Sequence, residues 1–204
     1  LDEIRGKVIE HLALTGIALG VGLTLSLVLA IAGLRFPRTY PPITWVTGTL
    51  YTIPSLALFA FLVPITGFTI LTAEIGLVSY TLLILIRNIV AGIQGIDPAV
   101  RESALGMGYG PRRLLTEIEL PLGFPVILAG IRIAAVTTVG LVTVTALIGQ
   151  GGVGFFILRG LNRFFDTEIV LGTVLSVLLA VGIDLVLVLA GWVLAPWTRR
   201  RVPA

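Results

Sequence analysis

Residue types that perform covalent or metal chemistry are scarce in this sequence. Its 204 residues include no cysteine and a single histidine, His11. Without cysteine there is no thiol nucleophile, disulfide or thiolate metal site, and one histidine cannot supply a pair of metal ligands. We therefore expect no catalytic residue, no metal site and no resident cofactor on this chain.

Two acids interrupt long apolar stretches. Glu74 stands near the start of one stretch, and Asp184 lies deep within the last one. If these stretches cross a membrane, a carboxylate there must face the protein interior and be paired, hydrogen-bonded or protonated. Asp184 then has two interpretations, both open: a contact on a transport path or dimer seam, or a structural hydrogen bond between helices.

A glycine-rich run, residues 149–154 (GQGGVG), is the third candidate site. Such loops cradle phosphates in nucleotide-binding proteins, but this one lacks the Lys-Ser/Thr pair that completes a phosphate-binding loop. We interpret it as a glycine turn that ends a helix.

The composition indicates whether these candidate residues lie in a membrane or in a water-soluble protein. Hydrophobic residues make up 56% of the chain and charged residues 12%, with a mean hydropathy of +1.06. That charged fraction is about half the share of an ordinary soluble domain, which excludes a water-soluble enzyme and a disordered chain. The net charge of +3 is attributed to a membrane surface rather than to nucleic acid. We predict an all-α integral membrane protein with one domain over 1–204.

Uncharged runs of about 20 residues predict five membrane-spanning helices. The first run is too long for the core of a signal peptide, the alternative interpretation of that segment. The second span is expected to kink near Pro54, because proline interrupts a helix. The five predicted spans cover residues 12–34, 43–63, 70–87, 125–148 and 169–195.

Arginine placement predicts the orientation. With the N-terminus outside and the C-terminus cytoplasmic, ten of the fourteen basic residues lie on the cytoplasmic side, as the positive-inside rule requires. The ten are Arg35, Arg38, Arg87, Arg101, Arg112, Arg113, Arg132, Arg199, Arg200 and Arg201. We predict a multi-pass protein of a prokaryotic cytoplasmic membrane.

Residues 88–121 form the one long predicted cytoplasmic segment. Asp97 and Pro98 begin a helix, which glycines 106 and 108 should end. A second short helix should start at Pro111 and stop at Pro121. The pair is either an amphipathic linker resting on lipid headgroups or a docking surface for a partner.

The spacing of residues within this segment favours the docking surface over the amphipathic linker. It combines an acid-small-Ala triplet, a glycine six residues after the acid, and a downstream Ile-x-Leu-Pro. This pattern resembles the cytoplasmic signature of ABC importer permeases. The resemblance implies a type I importer fold and a coupling helix that docks into an ATPase subunit. The residues it assigns to coupling are Glu102, Ser103, Ala104, Leu105, Gly108, Ile118, Leu120 and Pro121.

Other features resemble the osmoprotectant branch of that family: Arg87-Asn88, residues 120–132, the run 148–154, and Asp184 in the last span. The resemblance implies that the glycine turn leads into an outer gate. Gly151, Gly152 and Gly154 therefore join Asp184 as candidate gate or pathway residues.

The function implied is that of the transmembrane subunit of an ATP-driven importer for glycine betaine, choline or carnitine. The implied partners are cytoplasmic ATPase subunits carrying ATP and Mg²⁺, a second permease chain, an external substrate-binding protein and membrane lipid, with no nucleic acid. Two alternatives remain: a permease for another small solute such as methionine, and an ion-coupled secondary transporter using Glu74 and Asp184.

Overall fold

A computed structural model describes residues 1–199, and within them the chain is almost entirely helical with no β-strand. Short 3₁₀ turns, Pro37–Thr39 and Pro196–Arg199, flank the longer elements. Arg200 and Arg201 of the predicted cytoplasmic tail lie outside the described residues. The helices are α1 (Asp2–Arg35), α2 (Tyr40–Thr52), α3 (Ser55–Thr66), α4 (Ile70–Gln94), α5 (Pro98–Gly106), α6 (Pro111–Ile148), α7 (Gly154–Arg163) and α8 (Asp166–Leu194).

Helix α4 lies at the centre of the bundle and packs against α1, α2, α3 and α6. Its side chains enter two apolar clusters, one toward each end of the molecule. We call the end that carries residues 95–119 the basal end, and the end that carries residues 149–165 the distal end. The basal cluster includes Ala30, Ile86, Ile89 and Ile127, and the distal cluster includes Leu14, Phe59, Leu77 and Val142.

Small residues bring α4 and α6 into close contact. A Cβ atom added at Gly92 would lie 2.8 Å from the carbonyl oxygen of Gly123, so neither position has room for a side chain. Gly130, Ala134 and Thr138, four residues apart on α6, are all buried, as expected for tight packing between membrane helices.

The predicted kink at Pro54 is a 97° bend between α2 and α3. Tyr40, at the start of α2, packs on the basal cluster, whereas Phe59 of α3 belongs to the distal cluster. The bent pair therefore passes from one end of the molecule to the other. Together with the four helices long and apolar enough to cross a membrane, it makes five candidate spans, in agreement with the predicted number.

The helices end at other residues than the predicted boundaries at two places. Helix α4 does not end at Arg87, the end of the predicted third span, but continues two turns to Gln94. The second short helix does not stop at Pro121 either. It forms the start of α6, in which residues 114–119 are π-helical and precede this proline. A π-helical turn can accommodate the missing proline N–H within a membrane helix.

Two peripheral helices complete the described part of the molecule: α7 at the distal end, and α8, which runs from there to the root of α6. The prediction missed α7, which packs against α8 and the end of α6. Only 6% of the most apolar stretch of α8 is buried within the chain. Its exposed side chains are mainly valine and leucine, which suit contact with lipid or with another apolar surface.

Candidate functional site

The basal hairpin, residues 97–119, is built by local capping. The Asp97 carboxylate accepts a hydrogen bond of 2.9 Å from the Ala99 N–H, and Pro98 follows at the first helical position. Both features are typical of helix starts and confirm the predicted start of α5.

The turn of the hairpin depends on Gly108. Its φ is +84°, a left-handed conformation that side chains with a Cβ rarely adopt. The Met107 N–H donates to the Ser103 carbonyl at 3.0 Å, and the Tyr109 N–H donates to the Ala104 carbonyl at 3.1 Å. These bonds satisfy the last carbonyls of α5, so the predicted glycine stop is confirmed.

Arg101 ties the hairpin to the helical bundle. Its guanidinium donates to the Ile93 carbonyl at the end of α4, and its Nε lies 2.9 Å from the Glu119 carboxylate at the root of α6. One side chain thus joins α5 to both core helices. The prediction counted Arg101 only as a basic residue, because its partners lie 8 and 18 positions away and no local pattern marks them.

The residues predicted for coupling fall into two groups. Glu102, Ser103, Leu105 and Gly108 are exposed at the basal end, and Leu105 exposes 53% of its surface. The other four lie within the chain: Ala104 is 1% exposed, and Ile118, Leu120 and Pro121 are half-buried at the root of α6. Ala104 therefore packs within its own chain rather than on the exposed surface of the hairpin.

Residues 151–154 of the glycine turn at the distal end are buried, and three of its glycines are closely packed. Gly149, Gly151 and Gly152 all have positive φ. A Cβ at Gly152 would lie 2.5–2.7 Å from His11, and one at Gly154 would lie 2.4 Å from the Thr143 carbonyl oxygen. These contacts support the interpretation of the glycine run as a turn that ends a helix. Here the turn packs against both α1 and the end of α6.

Asp184 is paired across the α6–α8 contact. The Arg132 guanidinium donates two hydrogen bonds to its carboxylate, of 2.8 and 2.9 Å. The prediction that Asp184 would be paired is confirmed. The partner of Arg132 thus lies on the neighbouring helix, α8.

A second charged cluster, at the distal end, was not predicted. Arg159 of α7 donates to Glu168 of α8 at 2.8 Å and to Glu3 of α1 at 2.7 Å, so one guanidinium joins three helices. These hydrogen bonds, chiefly that of Glu168, raise the pKa of Arg159. The guanidinium also lies 4.7 Å from the centre of the Phe155 ring, a cation–π contact.

The sequence profile described as "Binding-protein-dependent transport system inner membrane component" matches residues 22–200. That range covers most of the chain, including α4, the basal hairpin and α6. The chain belongs to this family. It is thus a membrane-embedded permease subunit, in agreement with the resemblance found in its sequence.

Two relatives of the permease come from Bacillus subtilis. The choline transport system permease protein OpuBB is 34% identical over 98% of this chain and 92% of its own length. The glycine betaine/carnitine/choline transport system permease protein OpuCB is also 34% identical, over 91% of this chain and 85% of its own length.

The fold of the permease matches a chain of the MetNI methionine ABC transporter, solved in inward-facing conformations. The TM-score is 0.75 over 90% of this chain and 94% of that one, at 19% sequence identity. At that identity the likeness shows the fold alone, which is the predicted type I importer architecture.

Both carboxyl oxygens of Glu74, and both ring nitrogens of His11, are buried without a hydrogen-bond partner in the described chain. Residues 1–199 contain no cluster of three or more His, Asp or Glu side chains arranged to hold a metal ion.

Proposed function

We propose that this permease is the transmembrane subunit of an ATP-driven importer for small osmoprotectants such as glycine betaine, choline or carnitine. ATP and Mg²⁺ would be bound by a separate ATPase subunit. The names of the relatives support the solute class. The observation that carries the coupling role is the basal hairpin, which exposes Glu102, Ser103 and Leu105 while Arg101 anchors it to α4 and α6.

This anchoring suggests how force would reach the spans. The hairpin has no flexible link to the core, because α6 runs without a break from Pro111 to Ile148. A displacement of α5 by a docked ATPase would therefore move α4 and α6 as a rigid unit. Rigid-body motion of packed helices is one of the standard ways in which proteins switch between conformations.

The other proposed partners follow from the shape of the chain and from its family. Five spans cannot enclose a gated path alone, so a second permease chain, identical or related, would complete it. The family description names dependence on a binding protein, which would dock at the distal end. That end would then face outside, with the basal hairpin in the cytoplasm.

The coupling role can be tested with Glu102→Lys and Gly108→Val in the purified complex with its ATPase, reconstituted with a binding protein. Reversing an interface charge, or forcing a β-branched residue into positive φ, should lower glycine betaine uptake and substrate-stimulated ATP hydrolysis by about tenfold or more. Arg38→Glu, a charge reversal at an exposed residue outside the basal hairpin and away from the distal end, is the matched control.

Folding is monitored by gel filtration and by thermal unfolding in detergent. Normal uptake by both basal variants would contradict the coupling role. Wild-type uptake of methionine, but of no osmoprotectant, would contradict the proposed solute class.

A further inference from the structure

A groove of about 720 Å³ lies between α2 and α4. The groove is broad and open rather than enclosed in the isolated chain. Arg87 of α4 lies toward its basal end, Trp45 and Gly48 of α2 lie along its length, and Tyr51 and Thr52 lie at the end of α2. Unlike the apolar face of α8, this surface combines a charge, aromatic rings and hydroxyl groups.

The environment of Arg87 indicates that the groove does not face lipid. It precedes the last residue of α4 by seven positions, about 10 Å along the helix. Its side chain is exposed, and within residues 1–199 it makes no ion pair or hydrogen bond. An unpaired guanidinium is unfavourable against hydrocarbon, so it requires water or a polar ligand.

The break between α2 and α3 places a second polar feature at the other end of the groove. Helix α2 ends at Thr52, and Pro54 supplies no N–H for the preceding carbonyls. The Tyr80 hydroxyl donates to the Ile53 carbonyl, and its ring meets that of Tyr51 edge-on at 5.9 Å. The break is therefore held in place, and the C-terminus of α2 carries partial negative charge.

We propose that this groove is a binding site on the translocation path for small zwitterions that carry a quaternary ammonium and a carboxylate. The proposal rests on the proposed function and deepens it. The rings of Trp45 and Tyr51 and the C-terminus of α2 attract the ammonium, and Arg87 binds the carboxylate. Discontinuous membrane helices commonly form substrate sites of this kind.

The natural absence of cysteine allows a direct test of access. In the complete transporter, Thr49→Cys introduces a thiol at an exposed position of the groove, and Val186→Cys introduces one on the exposed apolar face of α8. A charged, water-soluble thiosulfonate should modify the first at least about tenfold faster than the second, and glycine betaine should slow that reaction. An unreactive Thr49→Cys, or a reaction that glycine betaine leaves unchanged, would overturn the proposal.

The role of Arg87 is tested by comparing two probes. Choline has the quaternary ammonium without a carboxylate, and glycine betaine has both. Arg87→Gln should lower uptake of glycine betaine about tenfold relative to choline, whereas Arg38→Gln, an exposed basic residue outside the groove, should leave the ratio unchanged. If Arg87→Gln leaves the ratio of glycine betaine uptake to choline uptake unchanged, the proposed site is overturned.

The design also separates the two proposals. If the wild-type complex shows ATP-dependent uptake of neither probe, the proposed function fails. If the wild type transports both and Arg87→Gln preserves their ratio, only the groove proposal fails.

Discussion

The pairing of Arg132 with Asp184 explains how two charges are kept within the span region. Each carboxylate oxygen accepts a hydrogen bond from the guanidinium, and both side chains keep about a third of their surface exposed on the isolated chain. Bidentate geometry of this kind is the strongest arrangement of a guanidinium and a carboxylate. The pair joins α8 to α6, where α8 otherwise buries little surface.

The first prediction concerns this pair. Asp184→Asn leaves the Arg132 charge without its counter-ion, so the thermal midpoint of the purified permease in detergent should fall. The exchanged pair Arg132→Asp/Asp184→Arg should recover most of that loss, because it restores opposite charges on facing helices. Asp166→Asn, an exposed acid at the start of α8, serves as control. If the exchanged pair lowers the thermal midpoint by as much as the sum of the losses caused by Arg132→Asp and Asp184→Arg alone, the two charges do not stabilise the contact.

A single sequence could predict that Asp184 needs a partner but not which partner. Arg132 lies 52 positions away, and helical spacing relates only residues three or four apart. The same reason hid the partners of Arg101 and Arg159. In contrast, Asp97 and Gly108 act on backbone groups within a few residues, so their roles were predictable from local sequence alone.

At the scale of elements, the contact between α4 and α6 depends on two glycines. Gly92→Ala would bring a Cβ to 2.8 Å from the Gly123 carbonyl oxygen, so the helices must separate at a cost of about 1–3 kcal/mol. Gly140→Ala has nothing within 4 Å of its Cβ and should gain up to ~1 kcal/mol through helix propensity. Thermal unfolding in detergent measures both. Equal midpoints for the two variants would contradict this account of the contact.

The elements were predictable where hydrocarbon imposes a strong constraint on sequence. Uncharged runs marked the spans because charge is costly there, and Pro54 marked the bend. Charge did not mark the end of α4, because Arg87 lies on an exposed face of the helix while the buried face continues to Ile93. Helix α7 was missed because it is short, amphipathic and bounded by a glycine turn, features that a search for uncharged runs does not detect.

At the scale of the whole molecule, the two ends differ in their balance of charge. At the distal end, five acids (Asp2, Glu3, Glu10, Asp166 and Glu168) outnumber four basic residues (Arg5, Lys7, Arg159 and Arg163). At the basal end, five basic residues (Arg35, Arg38, Arg101, Arg112 and Arg113) outnumber four acids (Asp97, Glu102, Glu117 and Glu119). An excess of basic residues at one end is the distribution that the positive-inside rule associates with the cytoplasm.

That asymmetry leads to a prediction about orientation. Met107 exposes 70% of its surface at the basal turn, and Asn162 is exposed at the distal end. The sequence contains no cysteine, so each variant carries a single thiol. A maleimide that reaches the outer face of the inner membrane but cannot cross it should label Asn162→Cys in intact cells. It should label Met107→Cys only after that membrane is permeabilised. The reverse pattern would place the basal hairpin outside, where no cytoplasmic ATPase could reach Glu102, and both the orientation and the coupling role would then be wrong.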